Sequence, residues 1–335
     1  MNTVERLASY DAFNSEVIEQ VADVMDQVRS YDTYDKLFKA AGMPEVKRFE
    51  HDGYHPVDVV DRRPKHHDPA AVLLDHLGIV NPLDPNNLVH VAAIGLLLPD
   101  ARIVAAANPS GPGYKSALLN HAQRKMIVNG NTLPYAVPTM SYLDEDPQIE
   151  YVEQVAFSFG NERLLAVAKH VNLLVGNCVA VEPASDIERD VVALAKAAAA
   201  TGDAMDGYVQ DNELPLLEAA LKKSVGKTSV TLGSLRLTNF AAGRQMARGE
   251  YQKNAEEALE VNPAMSLTSV WCSDSEYKHD DSMTATTKRL QAQFGGRRVY
   301  GIRIPSERHL MVNYLPIELA SVLQGLNNPS SIDTN

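Results

Sequence analysis

Between residues 4 and 42 apolar side chains return at three- and four-residue steps, as at Val17, Ile18, Val21, Met25 and Val28, with mostly polar residues between them. That spacing places them on one helical face, so residues 1–45 are expected to form a helical N-terminal extension. The pattern then changes. In VKRFEHDGYHPVDVVDRRP, Val and Phe positions alternate with charges around Gly53 and Pro56, which predicts two short strands joined by a turn. Further on, strand, loop and helix repeat: AAVLLD, a loop, NNLVHVAAIGLLL, then ARIVAAA leading through NPSGPGYKS into a helical stretch. Apolar runs of small and β-branched residues without alternation fit strands buried on both faces, and the helices between them supply the crossovers that parallel strands require. The expected class is α/β, with a mostly parallel central sheet and flanking helices.

Between about 185 and 265 the strand signal fades and Ala, Leu, Glu and Lys recur at helical spacing, as in IERDVVALAKAAAA and LPLLEAALKKSV. A helical block inside an α/β chain predicts an inserted helical cap, with 46–184 as the first part of the core and 266–328 as the second. Two further strands, SLTSVWCSD and VYGIRIP, and a closing helix, PIELASVLQGL, follow the block. Residues 329–335 read as a frayed tail.

Composition narrows the function classes. The chain is 45% hydrophobic and 22% charged over 335 residues, which is the make-up of a folded globular protein. With 43 acidic against 31 basic residues the formal charge is −12, and no Lys/Arg cluster interrupts that balance, so a nucleic-acid partner is not expected. The N-terminus has neither a secretion signal nor a membrane span of about 20 apolar residues, and the reading is cytoplasmic. Cys178 and Cys272 each sit in an apolar run, as reduced, buried cysteines do.

The chemistry concentrates in three places. EYVEQVAFSFGNERLLAVAKH runs from an apolar strand, through small residues around Ser158, into a helix. A serine nucleophile needs that order: the strained turn exposes its hydroxyl, Ala156 and Gly160 leave it room, and the helix start aims free N–H groups at an attacked carbonyl. Phe159 N–H is the expected oxyanion donor. After the strand VYGIRIP stands His309, placed to take the serine proton. After SLTSVWCS stands Asp274, placed to orient that imidazole, with Glu276, Asp280, Asp281, Glu182 and Asp186 as competitors. Serine, acid and histidine thus follow one another in the chain order of one architecture, each just beyond a strand.

On these residues the chain resembles the α/β-hydrolase fold family over most of 46–328. Ala156-Phe157-Ser158-Phe159-Gly160 is similar to the family's small-x-Ser-x-small elbow, and SERHLMVNYLPIEL to its histidine loop. The insertion at 185–265 stands where the family places a cap. The loop LLDHLGIVNP resembles the family's His-Gly oxyanion loop, with Leu77 between His76 and Gly78, and implies Leu77 N–H as second oxyanion donor. The acid strand departs from the family's Gly-x-x-Asp, presenting Trp271-Cys272-Ser273-Asp274.

The resemblance implies hydrolysis of a carboxylic ester or thioester of a small-molecule acyl substrate, without a cofactor. Acyl transfer on the same fold and a non-catalytic protein-binding scaffold are the alternatives, and self-association would use the N-terminal helices or the cap. Two other signals fail. GPGYKS lacks the glycines of a phosphate loop, having Pro109 and Tyr114 in their places. His51, His55, His66 and His67, with Asp52 and Asp68, have no ligand pair at a recognised spacing, so no metal is expected.

Overall fold

A computed structural model describes residues 2–51, 57–76, 85–106, 133–157, 160–183, 250–274, 280–305 and 315–327. Among them, eight strands form one sheet: β1 (Lys47–Phe49), β2 (Val57–Arg62), β3 (Ala71–His76), β4 (Ile103–Ala106), β5 (Tyr151–Phe157), β6 (Leu174–Val181), β7 (Ser266–Cys272) and β8 (Val299–Ile304). Their order is β1-β2-β4-β3-β5-β6-β7-β8. β2 pairs antiparallel with both β1 and β4, and every other pair is parallel, so only β2 runs against the rest.

Helices cover both faces: α1 (Thr3–Ala8), α2 (Ser15–Ser30), α3 (Tyr34–Ala40), α4 (Pro85–Leu97), α5 (Leu133–Asp144), α6 (Gly160–His170), α7 (Glu250–Val261), α8 (Asp280–Phe294) and α9 (Leu315–Leu326). Because side chains alternate along each strand, Leu73, Val155, Val179 and Val270 face one layer, made by α1, α2, α4 and α9. Val72, Leu74, Val152 and Leu267 face the other layer, made by α5 to α8. None of the described helices is long and apolar enough to cross a membrane.

The N-terminal pattern resolves into three helices because short polar side chains cap each start. Asn2, Asn14 and Thr33 accept hydrogen bonds from the N–H groups of Glu5, Val17 and Lys36. These helices share the main core: Leu7, Val17 and Val21 are fully buried with Ile94 of α4 and Ile317 of α9. At the far end of the 185–265 block, α7 lies in the second layer, where Tyr251, Ala255 and Leu259 are buried against the sheet. Residues 185–249 of that block lie outside the described ones.

One buried arginine ties the N-terminal helices to the sheet. Arg62, at the end of β2, donates from Nε to Ala41 O (2.6 Å), from Nη1 to Ala101 O (2.8 Å) and from Nη2 to Pro99 O (2.9 Å). These carbonyls follow α3 and α4, where the negative ends of the helix dipoles favour a cation. Gly95 makes the approach feasible, since a Cβ there would stand 2.9 Å from Arg62 Nε. Arg62→Leu should therefore cost about 2–4 kcal/mol in denaturant unfolding, because it strands three buried acceptors. Arg62→Lys should recover only part of that, lacking the fork. A loss below about 0.5 kcal/mol for Arg62→Leu would mean water replaces the guanidinium without cost.

Candidate active site

The sheet's topology creates the site before any side chain is considered. From β3 the chain leaves through α4, on the first layer, to reach β4 on one side. From β5 it leaves through α6, on the second layer, to reach β6 on the other side. Connections that part in this way open a crevice at the strands' carboxyl ends, the place where ligands bind in open α/β sheets. The register brings β3 and β5 to that edge level, with His76 paired to Ala156. Leu77 follows the first of these residues directly, and Ser158 stands two positions past the second.

Ser158, Phe159, Leu77 and His309 lie outside the described residues, as do Glu276 and Asp186. The strands that lead into them are described. β3 delivers Leu77, β5 delivers Ser158 and Phe159, β7 delivers Asp274, and β8 precedes the His309 loop; all four run parallel, so these segments leave the same edge of the sheet.

Behind Ser158 the first turn of α6 is fixed from both sides. Asn161 Nδ2 donates to Val181 O at the end of β6 (2.9 Å), and Arg163 Nη1 donates to Ala106 O at the end of β4 (3.1 Å). Glu162 accepts from Asn254 of α7 (3.0 Å). Gly160, Asn161, Glu162 and Arg163 are all buried. A helix start held in this way keeps its N–H groups in a constant direction, as an oxyanion site requires.

His76 does not face solvent at this edge. It is buried in the layer of α5 to α8, its Nε2 2.8 Å from Gln154 Oε1, and Gln154 in turn donates to Cys178 Sγ at 3.6 Å. The bond to an amide oxygen assigns the proton to Nε2. Burial, with the nearby Arg163 charge, lowers the imidazole to about 3, so it is neutral.

On the other face of the same strand ends lies a cluster of ionisable groups. His90 of α4 meets Glu318 of α9 through Nδ1 (2.9 Å) and faces Asp75 of β3 through Nε2 (3.6 Å). All three are buried, and neither Asp75 oxygen has a hydrogen-bond partner among the described residues. Burial raises the Asp75 carboxyl to about 6 against the pull of His90 and Arg163. Burial alone would depress His90, but the two carboxylates hold it above the ordinary imidazole value. Its ring stands edge-on to Phe157, with centroids 4.5 Å apart, directly before Ser158 in the chain.

The candidate acids differ in placement. Asp274 is exposed, two residues past β7. Asp280 holds Arg303 through both oxygens (2.8 Å from Nε, 2.7 Å from Nη2) and accepts from Trp271 Nε1 (2.8 Å), which occupies it structurally. Glu182, directly after β6, is buried, accepts from Cys272 N–H and has φ 49°. A glutamate in the left-handed region is strained, and such strain collects at functional sites. Among the histidines considered for a metal, His51 meets Ser141 Oγ (3.3 Å) and His67 folds onto Pro64 O (2.5 Å). Among the described residues no group of three or more His, Cys, Asp or Glu side chains is arranged to hold a metal ion.

Sequence reasoning passed over Asp75, His90, Asn161 and Arg163. A usable signal existed for the first two. His90 is the lone ionisable residue in LVHVAAIGLLL, Asp75 with His76 interrupts the apolar run AVLLDHLGIV, and a buried charge of that kind must find a partner.

No family model matches the chain, and no curated protein matches it in sequence. Solved structures do match. An esterase of Pyrococcus furiosus superposes with a TM-score of 0.56 at 10% identity, covering 86% of this chain and 92% of that one. The thioesterase domain of the curacin biosynthetic pathway gives 0.51 at 14%, covering 84% and 99%. An alpha/beta hydrolase fold protein of Burkholderia ambifaria gives 0.50 at 17%, covering 84% and 98%. Together with the strand order, these likenesses define the class: the chain has the α/β-hydrolase fold.

The buried neutral His76 makes a separable pH prediction. Its folded value lies below its unfolded one, so its contribution to stability is complete above about pH 6.5 and is lost as pH falls toward about 3. Relative to His76→Gln, which cannot titrate, the wild type should lose on the order of 2 kcal/mol between pH 6.5 and pH 5. Denaturant unfolding of both proteins across that range checks this. Parallel stability curves would show that His76 takes up its proton while folded.

Proposed function

We propose that the protein is a serine hydrolase that cleaves a carboxylic ester or thioester through an acyl-serine intermediate. Ser158 Oγ attacks the carbonyl carbon while His309 accepts its proton, and His309 then returns that proton to the leaving alcohol or thiol. Water, deprotonated by the same imidazole, attacks the acyl-serine and releases the acid. Phe159 N–H and Leu77 N–H receive the oxyanion, and Asp274 orients His309. Residues 185–249 interrupt the chain between β6 and α7, and we assign acyl selectivity to them.

One observation carries this reading. The chain leaves β3 and β5 toward opposite faces, which supports a crevice at the strand ends that Leu77 and Ser158 follow in sequence, and the first turn of α6 is clamped to both β6 and β4. The esterase and thioesterase among the structural neighbours support the same chemistry. A second assignment of the acid has its own support: Glu182 is buried and strained at the same edge, whereas Asp274 is exposed.

Turnover of p-nitrophenyl esters of graded chain length tests the proposal. Ser158→Ala and His309→Ala should each lower kcat at least about 10³-fold with the fold intact by circular dichroism. Asp274→Asn should lower it by less than His309→Ala does. A severe Glu182→Gln beside a silent Asp274→Asn would move the acid to β6, and an active Ser158→Ala would refute the mechanism.

A further inference from the structure

Three segments that carry the proposed chemistry start from one buried cluster. Asp75 is the penultimate residue of β3, two positions before Leu77. Phe157 ends β5, one position before Ser158. Glu318 lies in the first turn of α9, the helix that follows the His309 loop. His90 touches all three: Nδ1 to Glu318 at 2.9 Å, Nε2 to Asp75 at 3.6 Å, and its ring edge-on to Phe157 at 4.5 Å between centroids. Core stability does not call for such a cluster, because a buried ion pair is often no better than apolar side chains of the same volume.

We propose that His90 is a positioning residue of the active site, which locks the carboxyl ends of β3 and β5 and the first turn of α9 to one another. This inference rests on the reading of Ser158 as nucleophile. The imidazole has Glu318 hydrogen-bonded at Nδ1 and the Asp75 carboxyl 3.6 Å from Nε2, so carboxyl groups on both sides fix its plane, and the plane fixes where Phe157 packs. A change in that packing displaces the residue after Phe157, and a displacement of about 1 Å can cost on the order of 10²-fold in rate.

The other groups nearby are accounted for. Arg163 of α6 acts on Asp75 across the sheet. β4 contributes only apolar residues, and the charged side chains of α2 and α3, from Glu16 to Lys39, are exposed. Asp75, Glu318 and Arg163 are therefore the described charges that set the state of His90. Lowering the pH through about 6 puts a proton on Asp75 and removes one of the two charges beside His90. Protonation of Asp75 thus adds a second proton to the acid limb that the catalytic base itself sets.

The test uses the full-length protein, p-nitrophenyl ester turnover and a fluorophosphonate probe. His90→Gln should lower kcat and the labelling rate by about 10- to 100-fold, with KM within about twofold of wild type and an unchanged circular dichroism spectrum. In the wild type, kcat should fall below pH 6 more steeply than a one-proton limb. In Asp75→Asn, normalised to its own plateau, it should fall with one proton. Wild-type kcat in a folded His90→Gln would overturn the inference, and so would superimposable acid limbs, which decide the matter if His90→Gln does not fold. A wild type that the probe fails to label would overturn the nucleophile itself, and this inference with it. A labelled wild type with an unaffected His90→Gln would overturn the inference alone.

Discussion

Parallel pairing from β4 across to β8 makes each of those strands end on the same edge of the sheet, and the other features of the site depend on that constraint. Loops that would be scattered in an antiparallel sheet are gathered at one rim. At that rim the chain leaves β3 and β5 toward opposite faces, so the gap between them is not filled by a crossing connection. The geometry of the candidate site follows from chain direction first and side chains second.

The rim is held by polar groups that the apolar core leaves no choice but to pair. Asn161 and Arg163 bind the carbonyls that end β6 and β4, so α6 cannot turn on the sheet without breaking both. His76 spends its proton on Gln154, and His90 pairs Nδ1 with Glu318 while Nε2 faces Asp75 at 3.6 Å. Two histidines only fourteen positions apart thus sit on opposite faces of the sheet with their pKa values moved in opposite directions. Their surroundings decide this: His76 feels the Arg163 cation, whereas His90 lies between two anions.

Much of this fold was legible because burial on both faces leaves a strong mark. AAVLLD, the run before AFSFG, SLTSVWCSD and VYGIRIP read as strands, and strands they are, in a mostly parallel sheet with helices on both sides. The alternation in VKRF and VDVV likewise gave β1 and β2 as an antiparallel pair. The site was legible only as far as chain order goes. What the sequence could not show is which face an ionisable residue points to and what meets it there, since His90 meets residues 15 and 228 positions away along the chain. The helical spacing of EYQKNAEEALE was read correctly as a helix, yet periodicity does not say what the helix covers. Its apolar face lies on the sheet beside α6 and α8.

The central claim is that the edge of the parallel sheet activates one serine, and localising a covalent adduct tests it most directly. After reaction with a fluorophosphonate, trypsin should release a peptide spanning residues 126–163, bounded by Lys125 and Arg163, that contains Ser141 and Ser158. Fragmentation by tandem mass spectrometry should place a single phosphonyl group on Ser158. An adduct on Ser141 or on a serine of another peptide, or no adduct on a folded protein, would contradict the account.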